Sequence, residues 1–418
     1  MASTGHKGGL IAALDVGSSK ICCLIARSDP EGGLHVEGMG HQLSRGIRAG
    51  SVVDVEAVES SIRAAVDTAE RMAGETISHV YLNLSGGWPH SDAMRVEVQI
   101  ASGQVGENDI RNAVSAATGQ FNRPDREIIH AIPVTYTVDG SQGVRDPRGL
   151  YGDRLGVDIH FVSAERGPLR NLRHCLEQGQ IGVASTIVSP YASGLSCLLE
   201  DEKEIGVTLI DLGGGTTTTS VFMEGSLVYA DVVPMGGQLV TNDIAKVMLT
   251  SLSEAERMKT LHGNAIRRAS DDMEVLTVSQ LGDHGEAHPH EVPKSLLTGI
   301  IESRMEEIFE TVRDHLASSG YDQLAGKRVV LTGGGAQLQG VQELATKILN
   351  KTVRQGKPAH IKGMAESAVG PAFATCAGLL AYAVQGQAQP GKLNAAMLAQ
   401  PEPKSAMARV GRWLKENF

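Results

Sequence analysis

Aromatic residues are scarce in this chain of 418 residues, with Phe, Trp and Tyr together making up 4% of it. A groove that stacks nucleic-acid bases needs rings spaced along a basic surface. Here Asp and Glu (48) outnumber Lys and Arg (38), for a net charge of −10, and no long basic run offsets the acidic body. No nucleic-acid partner is therefore expected. Cysteine is also sparse. The five present include the neighbours Cys22 and Cys23 inside an apolar run; an odd count without framework spacing argues against a disulfide-stapled secreted domain and for buried cytosolic thiols. No apolar stretch is long enough to span a membrane, and the first residues lack the apolar core of a signal peptide, so any membrane contact is expected to be peripheral. Two familiar nucleotide loops are missing too. The nearest approach to a Walker A motif, Gly386 to Lys392, runs into Leu393 where Ser or Thr is required and has no strand before it. Gly213 and Gly215 begin a dinucleotide-type G-x-G, but Thr218 stands where the third glycine belongs.

What the chain does have is a repeated turn. Asp15-Val-Gly17-Ser18-Ser19-Lys20 and Asp211-Leu-Gly213-Gly214-Gly215-Thr216-Thr217 each follow an apolar run of strand character. Polyphosphate is held best by backbone N–H groups pointing inward from tight turns. Glycine lets the backbone approach, and hydroxyls add donors. An Asp heading each turn can hold Mg²⁺ through water, the mode that this reluctantly dehydrated cation favours. The repetition predicts two related halves closing on one Mg-nucleotide. A third glycine turn, Gly333-Gly334-Gly335-Ala-Gln337, ends the apolar strand at 328–332 and precedes a helix-like stretch at 338–349; such a turn can lie flat against a purine and its ribose.

In order and type these three segments resemble the phosphate 1, phosphate 2 and adenosine motifs of the actin, Hsp70 and sugar kinase superfamily. Residues 187–198 and 367–379 resemble its two connecting helices, where small residues allow a close crossing beneath the nucleotide. The resemblance implies ATP and Mg²⁺ as ligands, with Asp15 and Asp211 on the metal through water and Lys20 near the β or γ phosphate. Gly236 and Gly237 either contact phosphate or ribose or serve the turn there. Glu256 and Lys259 have the spacing of the pair that flanks adenine and ribose in the superfamily, and equally that of a surface ion pair. In several actin-like relatives an acid before the proline of the first connecting helix orients the attacking water. This chain has Ser189-Pro190 there. No catalytic residue is assigned, and ATP binding with slow or absent hydrolysis is expected.

Between the strand at 79–84 and the first connecting helix the chain carries its own alternating segments, at 94–100 and 128–138, with a helix near 108–118. That region ends in Asp146-Pro-Arg-Gly149-Leu-Tyr-Gly152-Asp-Arg-Leu155. This D-P-x-G-x-x-G-x-x-L pattern is similar to one at the corresponding place in the FtsA family of bacterial cell-division proteins, actin relatives that lack the usual actin subdomain and carry a different one on the other side of the first lobe. The implied fold is α/β, a two-lobed actin-like ATPase fold with an inserted α/β subdomain and a C-terminal amphipathic helix. Its expected parts are a first lobe (8–84 and 163–203), the insert (85–162), a second-lobe core (204–240 and 326–384) and a second insert (241–325). A flexible linker (385–404) and a membrane helix (405–418) follow. The resemblance further implies docking of the FtsZ C-terminal peptide within about 240–325, filament formation with copies of itself, and contact with later division proteins through 85–162. The location it implies is the cytoplasmic side of the inner membrane at the division site. A small-molecule kinase of the superfamily and an actin-like pilus-assembly protein are the alternatives.

Pro390, Pro401 and Pro403 interrupt the tail, as expected of a linker. Beyond them, helical spacing puts Met407, Val410, Trp413, Leu414 and Phe418 on one face and Arg409, Arg412 and Lys415 on the other, the pattern of a helix lying in an anionic lipid interface. His284, His288 and His290 are expected in a solvated loop and not at a metal, since Pro289 and nearby glycines argue against a regular element.

Overall fold

The computed structural model describes residues 9–28, 33–281 and 287–388. Within them, two five-stranded sheets share one topology. In the first, the antiparallel meander Leu10–Val16, Lys20–Ser28 and Leu34–Leu43 is extended beside Leu10–Val16 by the parallel strands His79–Leu84 and Gly182–Val188. In the second, Val207–Leu212, Thr217–Met223 and Ser226–Val233 form the meander, and Arg328–Thr332 and Thr352–Gln355 add in parallel beside Val207–Leu212. Each sheet thus presents the carboxyl end of its central strand, with an Asp-led turn, at the same relative place. That equivalence is the structural form of the repeated motif.

Residues 21–26 of Lys20–Ser28 are all buried, as expected of a strand covered on both faces. Helix Val55–Ala73 supplies one cover through Val58, Ile62, Ala65, Val66 and Ala69, a stripe at helical spacing. Asp54 caps it, accepting from the Ala57 N–H, an interaction worth about 1 kcal/mol. Contact with the sheet is backbone-close: a Cβ on Gly40 would lie 1.9 Å from the Ala65 carbonyl oxygen. The two connecting helices are Ser189–Cys197 and Ala374–Ala388. They cross so tightly that a Cβ on Gly378 would stand 1.7 Å from the Ala192 carbonyl oxygen.

Between His79–Leu84 and Gly182–Val188 lies a separate antiparallel sheet, in the order His90–Gln99, Arg154–Glu165, Arg126–Val138, Ser141–Val144. Helix Glu107–Gln120 packs on it with Ile110, Ala113, Val114 and Ala117 buried. The D-P-x-G-x-x-G pattern builds the loop that leads into Arg154–Glu165: Asp146 accepts from the Arg148 N–H, and Gly149 adopts φ 84°. The inserted sheet also caps the edge strand of the second lobe. Ser91 Oγ donates to the Ala230 carbonyl (3.1 Å) and accepts from the Ala230 N–H (2.9 Å), and His160 Nδ1 donates to the Leu227 carbonyl (3.0 Å).

After Ser226–Val233 the second lobe carries helices Gly237–Val247 and Leu252–His262, the hairpin Val275–Leu281 with Ala287–Pro293, and the 26-residue helix Lys294–Ser319. The hairpin corrects the expectation of a loop around the histidines. His288 and His290 lie on strand Ala287–Pro293, with Pro289 opposite Ser279. A two-stranded sheet has an open edge on each strand, where proline's missing N–H breaks no ladder bond. His284 falls outside the described residues, and among those described no group of three or more side chains is placed to hold a metal. The second connecting helix continues to Ala388, beyond the composition change at Gln385 where the linker was expected to start. The rest of that linker and the tail helix at 405–418 lie outside the described residues.

Candidate nucleotide site

The two Asp-led turns are closed in the same way. Gly17 N–H donates to the Lys20 carbonyl at 3.0 Å, and Gly213 N–H donates to the Thr216 carbonyl at 2.9 Å. A Cβ on Gly17 or Gly213 would come within 3.0 or 2.7 Å of those same carbonyl oxygens, which is the reason for glycine at both places. The turns face each other across one cleft, lined by Asp15, Gly17, Ser18, Ser19 and Lys20 from the first lobe and by Asp211, Gly213, Gly214, Gly215 and Thr216 from the second. Gln238 Nε2 reaches across to the Ser18 carbonyl at 2.9 Å, so the lobes meet directly at the loops.

Both aspartates are buried. Burial pushes the Asp15 carboxyl up to about 7; the Lys20 charge opposes the rise and Asp211 adds to it. Burial raises Asp211 as well, but hydrogen bonds from Ser193 and Thr375 and the Lys20 charge hold it back. A pair of poorly solvated carboxylates facing one cavity suits a hydrated divalent cation, whose charge would favour both ionised forms. Lys20 Nζ is withdrawn from solvent, has no hydrogen-bond partner among the described residues, and sits 3.3 Å from the centroid of the Phe373 ring. An unpaired buried ammonium beside N–H-rich turns fits a phosphate group.

The third turn joins the same cleft. Gly333 and Gly334 line it, and a Cβ on Gly333 would lie 2.2 Å from Asp211 Oδ1. Gly335 packs instead on Leu212, and the exposed Gln337 ends a short 3-10 turn, Gly334–Gln337, that delays the following helix to Val341–Leu349. Thr217 is wholly buried and donates to the Met235 carbonyl, so strand alternation turns it away from the cleft while Thr216 and Thr218 face in. Gly236 and Gly237 stack on the second turn: Gly237 N–H donates to the Gly213 carbonyl at 3.0 Å, and a Cβ on Gly236 would meet the Gly213 and Gly214 carbonyls. These contacts brace the second turn. Lys259 pairs with Glu256 at 2.6 Å and donates to Thr241 Oγ1 and the Gly237 carbonyl; neither side chain is among those lining the cleft around the aspartates.

Five residues line the cleft beyond those the sequence assigned to the nucleotide: Ser85, Thr218, and Ser189, Ala372 and Thr375 from the segments read as connecting helices. Ser85 follows strand His79–Leu84, and position at the carboxyl end of a parallel strand was the clue that could have found it. Ser85 and Ser189 hydroxyls lie 2.7 Å apart, and Asn83 Nδ2 donates to both at 3.1 Å while its Oδ1 accepts the Val16 N–H.

Comparison with known proteins agrees with this architecture. A model of the family "Cell division protein FtsA" matches residues 208–378, and one of the "SHS2 domain inserted in FTSA" matches 86–163, the span of the inserted sheet. The chain is 41% identical to cell division protein FtsA of Rhizobium meliloti (strain 1021), over 98% of this chain and 95% of that protein. With FtsA of Escherichia coli (strain K12) it shares 31% identity, over 98% of each. Among solved structures, a PilM-PilN type IV pilus biogenesis complex superposes with a TM-score of 0.63 at 16% identity, covering 90% of this chain and 98% of that one. MreB 5 of Spiroplasma citri bound to AMPPNP gives 0.53 at 12% identity, covering 91% and 98%. At such identities the structural matches establish the actin-like fold, whereas identity along nearly the whole chain establishes kinship. The chain belongs to the FtsA family of cell-division proteins.

Proposed function

We propose that this protein binds Mg-ATP between its lobes, assembles with copies of itself into filaments, and tethers FtsZ filaments of the division ring to the cytoplasmic face of the membrane. The nucleotide part rests on one observation, the convergence of two identically closed Asp-led turns and Gly333-Gly334 on a single polar cleft. Asp15 and Asp211 would hold Mg²⁺ through water, the turn N–H groups and Lys20 the phosphates. Hydrolysis is slow or absent in this reading, because Asp15 and Asp211 are the only carboxylates among the lining residues and Ser189, already bonded to Ser85, is a poor base. The inserted sheet at the flank of one lobe suits a head-to-tail contact that does not close. The second insert is the docking region for the FtsZ peptide by family kinship.

Attachment falls to residues 405–418. Partial burial of five apolar side chains, worth roughly 1.5 to 3 kcal/mol each when complete, and three cations worth about 1 kcal/mol each on anionic lipid give reversible binding by one tail. Many tails on one filament bind persistently through avidity. Co-sedimentation with anionic liposomes tests the reading, using the full chain and a chain ending at Lys404, each with and without Mg-ATP. Tail-dependent pelleting strengthened by Mg-ATP is the expected result; absence of pelleting by the full chain in every condition would favour a soluble kinase or scaffold.

A further inference from the structure

The Lys20 ammonium carries three donors, yet none reaches an acceptor among the described residues; it lies over the Phe373 ring face, with the Asp15 and Asp211 charges in electrostatic reach but not hydrogen-bonded to it. Desolvating a cation in this way is unfavourable, and the ring quadrupole offsets only part of the loss. The ring itself is firmly placed. Phe373 closes the turn Pro371–Phe373, its N–H donating to the Gly370 carbonyl, while the Pro371 carbonyl accepts from Gly333 N–H and Thr332 Oγ1. The His41 ring meets it edge-on at 6.4 Å. Lys20 and the neighbouring Ala372 line the same cleft as Asp15 and Asp211.

We infer that Phe373 is a seat for the Lys20 ammonium that competes with the nucleotide, so that this ring, although it does not bind ATP, sets part of the affinity for it. The inference rests on the nucleotide reading of the cleft. Phosphate oxygens are charged acceptors and satisfy the three donors better than a ring face does. On binding, the ammonium moves from ring to phosphate while the anchored ring stays behind. Whatever stabilises Lys20 on the ring therefore opposes binding, by the energy of the cation–π contact. Phe373 is thus a positioning residue with an unusual sign: its removal strengthens binding. The turn that carries it leads straight into Ala374–Ala388, whose Thr375 hydroxyl contacts Asp211, so the position of Lys20 is sensed next to the second connecting helix.

Calorimetric titration of the full chain with Mg-ATP tests this. Phe373→Leu is expected to bind roughly fivefold tighter than the wild type, the factor given by about 1 kcal/mol of cation–π energy. Phe373→Trp, which keeps an aromatic side chain and offers a stronger face, is expected to bind more weakly. In a Lys20→Met background neither change should alter affinity. Weaker or unchanged binding by Phe373→Leu, or an effect that persists without Lys20, overturns the inference; a purely structural role for the ring predicts that outcome. A wild type that fails to bind Mg-ATP overturns the nucleotide reading and this inference together, whereas a wild type that binds without the Phe373 pattern overturns this inference alone.

Discussion

Ser193 Oγ and Thr375 Oγ1 stand 2.9 Å apart although 182 positions separate them in the chain, and both reach the same carboxylate oxygen, Asp211 Oδ2, at 2.6 and 3.1 Å. Two protons serve three contacts, so the hydroxyls form one shared network and not three independent bonds. One hydroxyl comes from each connecting helix, and Ser196 Oγ ties the same pair again through the Ala374 carbonyl at 2.7 Å. The charge state of Asp211 and the crossing of the two helices are therefore coupled.

Ser193→Ala removes the shorter of the two bonds to Asp211 and leaves its carboxyl freer to stay neutral. A hydrogen bond to a charged group contributes about 1.5 kcal/mol, so Mg-ATP affinity should fall about tenfold in a calorimetric titration. Unchanged affinity would mean that Asp211 takes no part in binding.

The pH dependence of folding carries two opposed signs. Asp15 rises from its ordinary 3.8 to about 7 in the folded protein, chiefly by burial. Between those values only the folded state holds the proton, so this contribution to stability is full below 3.8 and is lost as pH climbs to 7, about 4 kcal/mol at most. Without nucleotide, Asp15→Asn should be more stable than the wild type at pH 8 and similar near pH 4. Equal urea midpoints at pH 8 would show that the Asp15 carboxylate is better solvated than its burial implies.

His130 and His160 act the other way. Burial lowers them from 6.5 to about 3 and about 4; His160 adds to the effect on His130, while the Leu227 carbonyl opposes it on His160. The unfolded chain takes up their protons below pH 6.5 and the folded one does not until nearer 4, so stability is lost as pH falls through that window. Two histidines outweigh one aspartate. The wild type should thus show a lower urea midpoint at pH 4.5 than at pH 6.5, and a flat profile would contradict the buried, neutral state of both rings.

Gly378→Ala sets a methyl group against the backbone of Ala192, with no flexible side chain to yield. Overpacking of this kind costs about 1 to 3 kcal/mol or more. The helices must separate, which also pulls Ser193 from Thr375. Loss of both stability and Mg-ATP affinity is expected, read by urea unfolding and calorimetry on the same protein; a stability loss alone would uncouple the crossing from the site.

Arg354, on strand Thr352–Gln355, grips the buried Glu202 through two nitrogens and also donates to the Cys197 carbonyl at 3.1 Å. The Arg354 hydrogen bonds hold the Glu202 carboxyl below its usual range. Arg354→Ala leaves that carboxylate, at 6% side-chain exposure, with no cation and only the Leu199 N–H (3.0 Å) as a partner, and should destabilise by about 3 kcal/mol. Arg354→Ala with Glu202→Gln should recover part of the loss, as chemical denaturation of both proteins would show.

Strands and turns were legible because their signals are local: apolar runs, and glycine at a closing turn. Helix Lys294–Ser319 bears a stripe at helical spacing, with Leu297, Ile301, Met305, Phe309, Val312 and Leu316 buried, but its dense charges hid the pattern. Pro289 misled, because its effect depends on whether a partner strand needs its N–H, and that is decided by the hairpin and not by the dipeptide.

By itself, the sequence determined the two Asp-led turns and their equivalence, since each closes through a local bond to a residue three positions on. Only the tertiary structure decided that Ser85 and Thr375 complete the cleft, that Thr217 points away from it, that Gly236 and Gly237 contact the second turn, and that Lys20 rests on Phe373. A hydroxyl or a ring carries no mark of the partner it will meet. That partner is set by how closely two helices cross and how two sheets face each other, and both follow from packing over the whole chain.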